Sequence, residues 1–227
     1  MKTYPIEFEI AGPMAMFARP DTGASPVSSP APPWSVCKAW CESVAAFFGT
    51  DQPAAFFAPT AVEFWRPIRY EKYKVNYRGP LRKPEAVHQG TSYQLAATVL
   101  VDVCYRVRAE CVPLGTDETK VNAAHALQDI FNRRLKRGQS KYTPSLGWQE
   151  FVPSYFGPPR SSGLEADAPR LQTDIDLLLP AFLLSVWDAP IRGSYKPTFR
   201  KQQPVRGGIL EFPNVKVDDD GRLHFIE

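Results

Sequence analysis

With 227 residues and 44% hydrophobic content, the chain is long enough to bury a sizeable core, which excludes a disordered tail, a collagen-like repeat or a disulfide-stapled miniprotein. Its 27 Lys and Arg against 24 Asp and Glu leave a net charge of only +3, which excludes a uniformly basic coat but not a local basic patch. No apolar run reaches membrane-span length, and MKTYPIEFEI lacks the charged-then-apolar form of a signal peptide, so a cytoplasmic protein with no membrane partner is expected.

In chain order, residues 6–12 (IEFEIAG) read as a first strand, followed by a Ser/Pro loop over 18–33. Trp34 to Phe48 reads as a helix, with Pro33 suited to its first turn and Gly49 to its stop. Ala61 to Ile68 reads as a second strand, made irregular at its end by Pro67. Residues 69–97 are a long basic excursion carrying Tyr70, Tyr73, Tyr77 and Tyr93. If 70–78 form one arm of a hairpin, Lys72, Lys74 and Arg78 share a side, and Tyr73 and Tyr77 pack the other side down.

The run TVLVDVCYRVRAEC (98–111) alternates strictly, with Val99, Val101, Val103, Tyr105, Val107, Ala109 and Cys111 on one side and Asp102, Arg106, Arg108 and Glu110 on the other. It predicts a half-buried strand with arginines on its open face. In NAAHALQDIFNRRLKRG, the residues Ala124, Leu127, Phe131 and Leu135 fall at helical spacing, and Gly138 suits a C-cap. Residues 147–156 predict a last strand broken by Pro153, residues 157–170 a linker, and 171–227 a small β-rich region with some helix near 177–187. Asp218 to Gly221 predicts a hairpin turn.

The resulting string, strand–helix–strand, insertion, strand–helix–strand, is a ferredoxin-like βαββαβ pattern of the α+β class, shared with RNA-recognition modules. It assigns 1–156 to one domain with an insertion at 69–97, and 171–227 to a small C-terminal region. In that pattern one sheet face carries both helices and the other stays free.

The positive charge is clustered. Arg66, Arg69, Lys72, Lys74, Arg78, Arg82 and Lys83 crowd one segment against Glu71 alone. Arg133, Arg134, Lys136, Arg137 and Lys141 follow with no acid between them, and Arg192, Lys196, Arg200, Lys201 and Arg206 make a third group. Cations interleaved with tyrosines meet two needs of single-stranded nucleic acid, charge for phosphates and flat faces for bases. The candidate RNA-binding residues are therefore the seven of the first segment, Arg106 and Arg108 on the sheet, and Arg133, Arg134, Lys136 and Arg137 on the helix. The four cysteines form no CxxC pair and the three histidines are scattered, so buried reduced thiols and no metal or other cofactor are expected.

Five stretches carry a resemblance: GPMAMFARPD, PPWSVCKAWCESVA, LAATVLVDVCYRVRAEC, DIFNRRLKRGQS and LGWQEF. In that order and spacing they resemble the Cas-five proteins of CRISPR systems, type I-C (Dvulg subtype), over about residues 6–156. The resemblance implies a repeat-associated RNA-binding (RAMP) fold with a thumb-like hairpin. It implies a subunit of the Cascade complex that grips the 5′ handle of the CRISPR RNA (crRNA). Its neighbours would be the backbone and large subunits, with target DNA met through the complex.

The resemblance also implies metal-free cutting of precursor RNA, by a tyrosine near the end of the first helix and a Lys-His pair opening the second. Here those places hold Ala45 and Ala126-Leu127, and Gln149 stands where arginine is usual. His125 and Lys120 are the nearby substitutes. A one-residue slip rotates His125 by about 100° on the helix, off the Ala124/Leu127/Phe131 side and toward Asp129. Two readings stay open: a non-catalytic handle-binding subunit, and an endoribonuclease using His125 and Lys120.

Overall fold

The computed structural model describes residues 3–23, 25–46, 54–77, 93–115, 118–161, 168–191 and 193–226. The fold is mixed α+β, dominated by a mainly antiparallel sheet. The elements are β1 (Pro5–Ala15), α1 (Trp34–Val44), β2 (Ala55–Phe64), β3 (Tyr70–Tyr77), β4 (Tyr93–Pro113), α2 (Glu118–Lys136), β5 (Tyr155–Gly157), β6 (Leu177–Trp187), β7 (Tyr195–Arg206), β8 (Ile209–Glu211), β9 (Asn214–Val217) and β10 (Leu223–Ile226). The eight-stranded sheet runs β5-β1-β4-β2-β8-β7-β6, with β3 paired to β4, and β9 and β10 form a separate hairpin.

β4 organises the sheet. Its whole working length pairs with β1, from Pro5↔Glu110 to Ala15↔Leu100. Its other edge is shared: β2 pairs with residues 105–113 and β3 with 93–100. The two halves meet at Asp102, which takes φ +50, a left-handed conformation that aspartate tolerates better than most residues. Val99 and Leu100, before the bend, are both buried, as are Val103, Cys104 and Tyr105 after it, so the alternation seen in the sequence shows in burial only from Tyr105 to Cys111.

Both helices pack on the sheet and on each other. The buried stripe of α2 is Ala124, Leu127, Phe131 and Leu135, as the spacing predicts, and Phe131 meets Phe8 and Phe57 with ring centroids 5.9 and 5.5 Å apart. α1 buries Trp34, Cys37, Trp40, Cys41 and Val44, and Trp40 lies stacked 6.3 Å from Tyr105. Gly138 caps α2 with φ +64, its N–H donating to the Leu135 carbonyl. α1 ends at Val44, short of the expected Phe48, because Ala45 is already extended at φ −145 and ψ 136 and its N–H donates to the Cys41 carbonyl; the stop expected at Gly49 lies outside the described residues.

Four expectations are corrected. The second strand begins at Ala55 and ends at Phe64, because AFFAP extends it upstream and Pro59 is absorbed at a register shift between Pro59 and Ala61. Residues 177–187 are strand, not helix: the run LLLPAFLLSVW has no helical periodicity, and Pro180 would break a helix interior. The predicted strand over 147–156 shrinks to Tyr155–Gly157. Gly147 takes φ +95 and presses against Met16, where a Cβ would sit 1.8 Å from the carbonyl oxygen, and this makes a turn rather than a strand. Finally, the face of the sheet away from the helices is not free. The expected linker returns across it, with Arg170 N–H donating to the Trp65 carbonyl and Gln172 N–H to that of Phe64.

The C-terminal region is β-rich as predicted, and it continues the main sheet through β8, which pairs with β2. Phe182, Leu184, Val205, Leu210 and Phe212 join the main core. The Asp218–Gly221 turn forms between β9 and β10, with Gly221 at φ +76.

Candidate nucleic-acid interface

The predicted cations fall into three settings. The first is the covered sheet face. Glu9 projects from β1 and is fully buried. It accepts 3.0 Å from Arg106 Nε, 2.6 Å from Arg160 Nε and 3.2 Å from the Arg160 backbone N–H. Arg106 also lies flat over the Trp65 ring, 3.2 Å from its centroid, and Arg160 over Tyr155 at 3.9 Å. Burial favours neutral Arg160, but its bonds to Glu9 outweigh this and hold its pKa above the ordinary value. Burial pushes the neighbouring Cys104 thiol up to about 12. Arg106 is therefore a clamp within the fold rather than an open-face cation. Arg108, the next residue outward on the same side of β4, is exposed and pairs with Glu63 at 3.6 Å.

The second setting is the bend of β4. Asp102 draws in Arg69, through a hydrogen bond to Oδ2, and Arg66, whose Nε lies 3.8 Å from Oδ1. Arg66, Asp102 and Arg160 line a cleft of about 620 Å³ with Gly12, Cys104 and Ser154. The Asp102 carboxylate thus gathers two guanidinium groups at the bend, and of these Arg66 lines the cleft.

The third setting is solvent. On β3, Lys72 and Lys74 are exposed, on the opposite side of the strand from Tyr73. Tyr73 packs its ring against Phe151 at 5.4 Å and Trp148 at 6.4 Å, so the arm is pinned by its tyrosine and presents its lysines, as the alternation predicts. Arg78, Arg82 and Lys83 lie outside the described residues. On α2, Arg133, Lys136 and Arg137 are exposed, while Arg134 donates 2.8 Å to the Val44 carbonyl and closes the C-terminal end of α1.

The catalytic candidates lie at the other end of α2. His125 is 55% exposed, and its Nε2 sits 3.6 Å from Asp129 Oδ2. The sequence missed its third neighbour, Tyr4, whose ring centroid is 5.6 Å from the imidazole. Tyr4 is held there because Gln128 Nε2 donates 2.6 Å to the Pro5 carbonyl. Lys120 lies on the first turns of the same helix. Ala45 is buried with no exposed surface, and Leu127 is in the core, so neither place expected from the resemblance offers a reactive group. Glu9, Trp65 and Arg160 were also missed. The polar positions of EFEI were a signal for Glu9, but its partners depend on strand register and on the returning segment. Among the described residues no group of His, Cys, Asp and Glu is placed to hold a metal ion, and no helix is long and apolar enough to cross a membrane.

The fold has solved counterparts. The chain superposes on the crystal structure of a CRISPR-associated protein with a TM-score of 0.63 and 16% identity, covering 94% of each chain. It superposes equally, at 0.63 and 17% identity, on a functionally uncharacterized protein from Streptococcus mutans, covering 92% of each. No protein-family model matches the chain. In sequence it is 28% identical, over 253 aligned positions, to the CRISPR pre-crRNA endoribonuclease Cas5d of Thermus thermophilus, covering 96% of this chain and 95% of that protein. In sequence the chain is thus similar to Cas5d along its length, and in fold to the solved CRISPR-associated protein.

Proposed function

We propose that this protein is the crRNA-binding subunit of a type I-C Cascade complex, holding the 5′ handle. The observation that carries the reading is the end-to-end sequence similarity to Cas5d, in a chain that presents exposed cations on the β3 arm and at the end of α2. Lys72, Lys74, Arg133, Lys136 and Arg137 contact phosphates, while Arg66 lines the cleft at the β4 bend and Arg69 shares its Asp102 partner. Backbone and large subunits are its neighbours, target DNA is met through them, and the setting is cytoplasmic. The order β5-β1-β4-β2 with two helices is the arrangement a ferredoxin-like domain takes when β3 is set aside as the arm, and we assign the fold on that basis.

In this reading the protein holds RNA without cutting it, because the expected tyrosine place is the buried Ala45. A second reading, metal-independent cleavage of precursor crRNA, is favoured by the named activity of the Thermus relative and by the Tyr4–His125–Asp129 group. There His125 takes the proton of the ribose 2′-hydroxyl as that oxygen attacks phosphorus, Asp129 orients the imidazole, and the departing 5′-oxygen is protonated by a second group, Lys120 or Tyr4. Incubation with labelled repeat RNA in EDTA separates the readings. Binding without a cut, unchanged in His125→Ala, is the expected result. A single cut that His125→Ala and Tyr4→Phe both abolish establishes the second reading.

A further inference from the structure

A cleft of about 450 Å³ opens between α1, the loop after α2 and the end of β6. Its floor includes Trp40, buried and fixed by a 2.7 Å hydrogen bond from Nε1 to the Ser145 carbonyl. Its walls include Tyr142 and Trp187, which are 55% and 48% exposed. Single exposed rings are ordinary, but two that line one cleft form a contiguous apolar patch of the kind that marks a binding site. Trp187 is held upright by Tyr195, edge-on with ring centroids 6.4 Å apart. Ser35, Ser43 and Thr143 add hydroxyl groups to the rim.

Among the described residues, the one charged residue lining the cleft is Glu42, whose carboxylate is already paired with Lys38, and the cations that bear on a ligand stand on the segments beside the cleft. The loop that supplies Tyr142 leaves the basic end of α2, so the exposed Lys136 and Arg137 precede it and Lys141 adjoins it, with Nζ 5.7 Å from the Tyr142 ring centroid. Across the cleft, the exposed Lys196 follows Tyr195. The loop is anchored rather than loose, because the N–H groups of Lys141 and Tyr142 both donate to the Ser43 carbonyl at the end of α1. Flat aromatic walls, hydroxyl groups and flanking cations are the combination that holds an unstacked base while its phosphates lie on lysine and arginine.

We propose that this cleft is a nucleobase-stacking site for single-stranded RNA, with one unpaired base set against Trp187 and Tyr142 and the adjoining phosphates on Lys136 and Arg137. The inference rests on the RNA-binding reading above and adds to it a base-stacking site built on aromatic residues that the family resemblance does not supply.

Trp187 makes the test direct. Of the five tryptophans, Trp34, Trp40 and Trp65 are buried and Trp148 is half-buried, so a base stacking on Trp187 quenches the exposed part of the emission. The full-length protein is titrated with a short oligoadenylate and with an abasic ribose-phosphate chain of equal length. The expected result is quenching by the oligoadenylate only, lost in Trp187→Leu. The oligoadenylate affinity should fall roughly 5- to 150-fold in Trp187→Leu and in Tyr142→Ala. Circular dichroism melting confirms that both variants fold. Unchanged emission and wild-type affinity in both folded variants overturn the stacking site while leaving RNA binding intact. Wild-type protein that binds neither oligonucleotide nor repeat RNA overturns the RNA-binding reading itself. Wild-type RNA affinity in variants that fail to enter a reconstituted complex would assign the aromatic walls to a protein partner and overturn the proposal.

Discussion

The arginines on the covered sheet face and the cations on β3 and α2 look alike in the sequence and have opposite fates in the fold. Arg106 and Arg160 are drawn onto a buried carboxylate and stacked on aromatic rings, so their charge is spent on holding a segment down. Lys72, Lys74, Arg133, Lys136 and Arg137 keep theirs in solvent. Phosphate binding draws on the second group, because releasing counterions requires a cation that is not already neutralised. A tally of basic residues thus overstates the interface, and register decides which of them count.

The sharpest break of this comparison is Glu9→Ala. Removing one partner of a buried pair leaves the others uncompensated, which costs about 3–5 kcal/mol. Arg160 is partly exposed and hydrates itself, so the lower end of that range is expected. Chemical denaturation measures it. A wild-type midpoint would mean that the covered face does not hold the fold.

The opposite result is expected from Lys72→Gln, Lys74→Gln, Lys136→Gln and Arg137→Gln combined. Each surface change shifts stability by no more than about 0.5 kcal/mol. The slope of log affinity against log salt for single-stranded RNA falls by about 0.7 for each phosphate that is no longer neutralised. An unchanged slope, measured by titration at several salt concentrations, would remove these residues from the interface.

What the sequence showed follows from the same distinction. The stripe of α2, the His125–Asp129 pair, the side of β3 that carries Tyr73 and the Asp218 turn were legible because each depends on local spacing, whereas the partners of Tyr73, Phe151 and Trp148, were not. The Glu9 cluster was not, since it joins β1, β4 and a returning segment far apart in the chain. Tyr4 beside His125 was illegible for the same reason: it depends on the start of β1 meeting α2. The strand over 177–187 was misread because a short apolar run fits a buried helix and a strand alike. The cleft bearing Tyr142 and Trp187 unites a loop and a strand end that carry no shared motif.

The buried thiols, Cys104 under the covered face and Cys111 in the main core, also predict a pH effect at the alkaline end. Burial pushes the Cys104 and Cys111 thiols to about 12, against an ordinary value of about 8.5. A raised native pKa means that the folded state holds its proton more tightly, so the stabilisation is complete below the unfolded pKa and is lost as pH rises from there toward 12. Thiol-specific labelling at mildly alkaline pH should therefore be slow in the native protein and fast after unfolding. Rapid labelling of any of the four buried thiols without unfolding would show that its surroundings open locally.

The smallest effect is expected where an ion pair is exposed, which is the case that completes the comparison. Asp218 accepts 2.7 Å from the Arg222 N–H and 2.8 Å from His224 Nε2, and these bonds, the backbone one first, hold its carboxyl below the usual range. A lowered native pKa contributes stability above the unfolded value that is lost as pH falls through the native one. Because the carboxylate stands in solvent, that contribution is confined to the β9–β10 turn. Asp218→Ala should speed hydrogen exchange at the Arg222 amide and leave the global melting temperature unchanged. A global shift comparable to that of Glu9→Ala would show that the hairpin is coupled to the main sheet, through Phe225, which packs edge-on at 5.3 Å against Trp34 of α1. The contrast between the two carboxylates, one buried among arginines and one at a turn, therefore measures how far burial rather than pairing sets the strength of an ion pair in this fold.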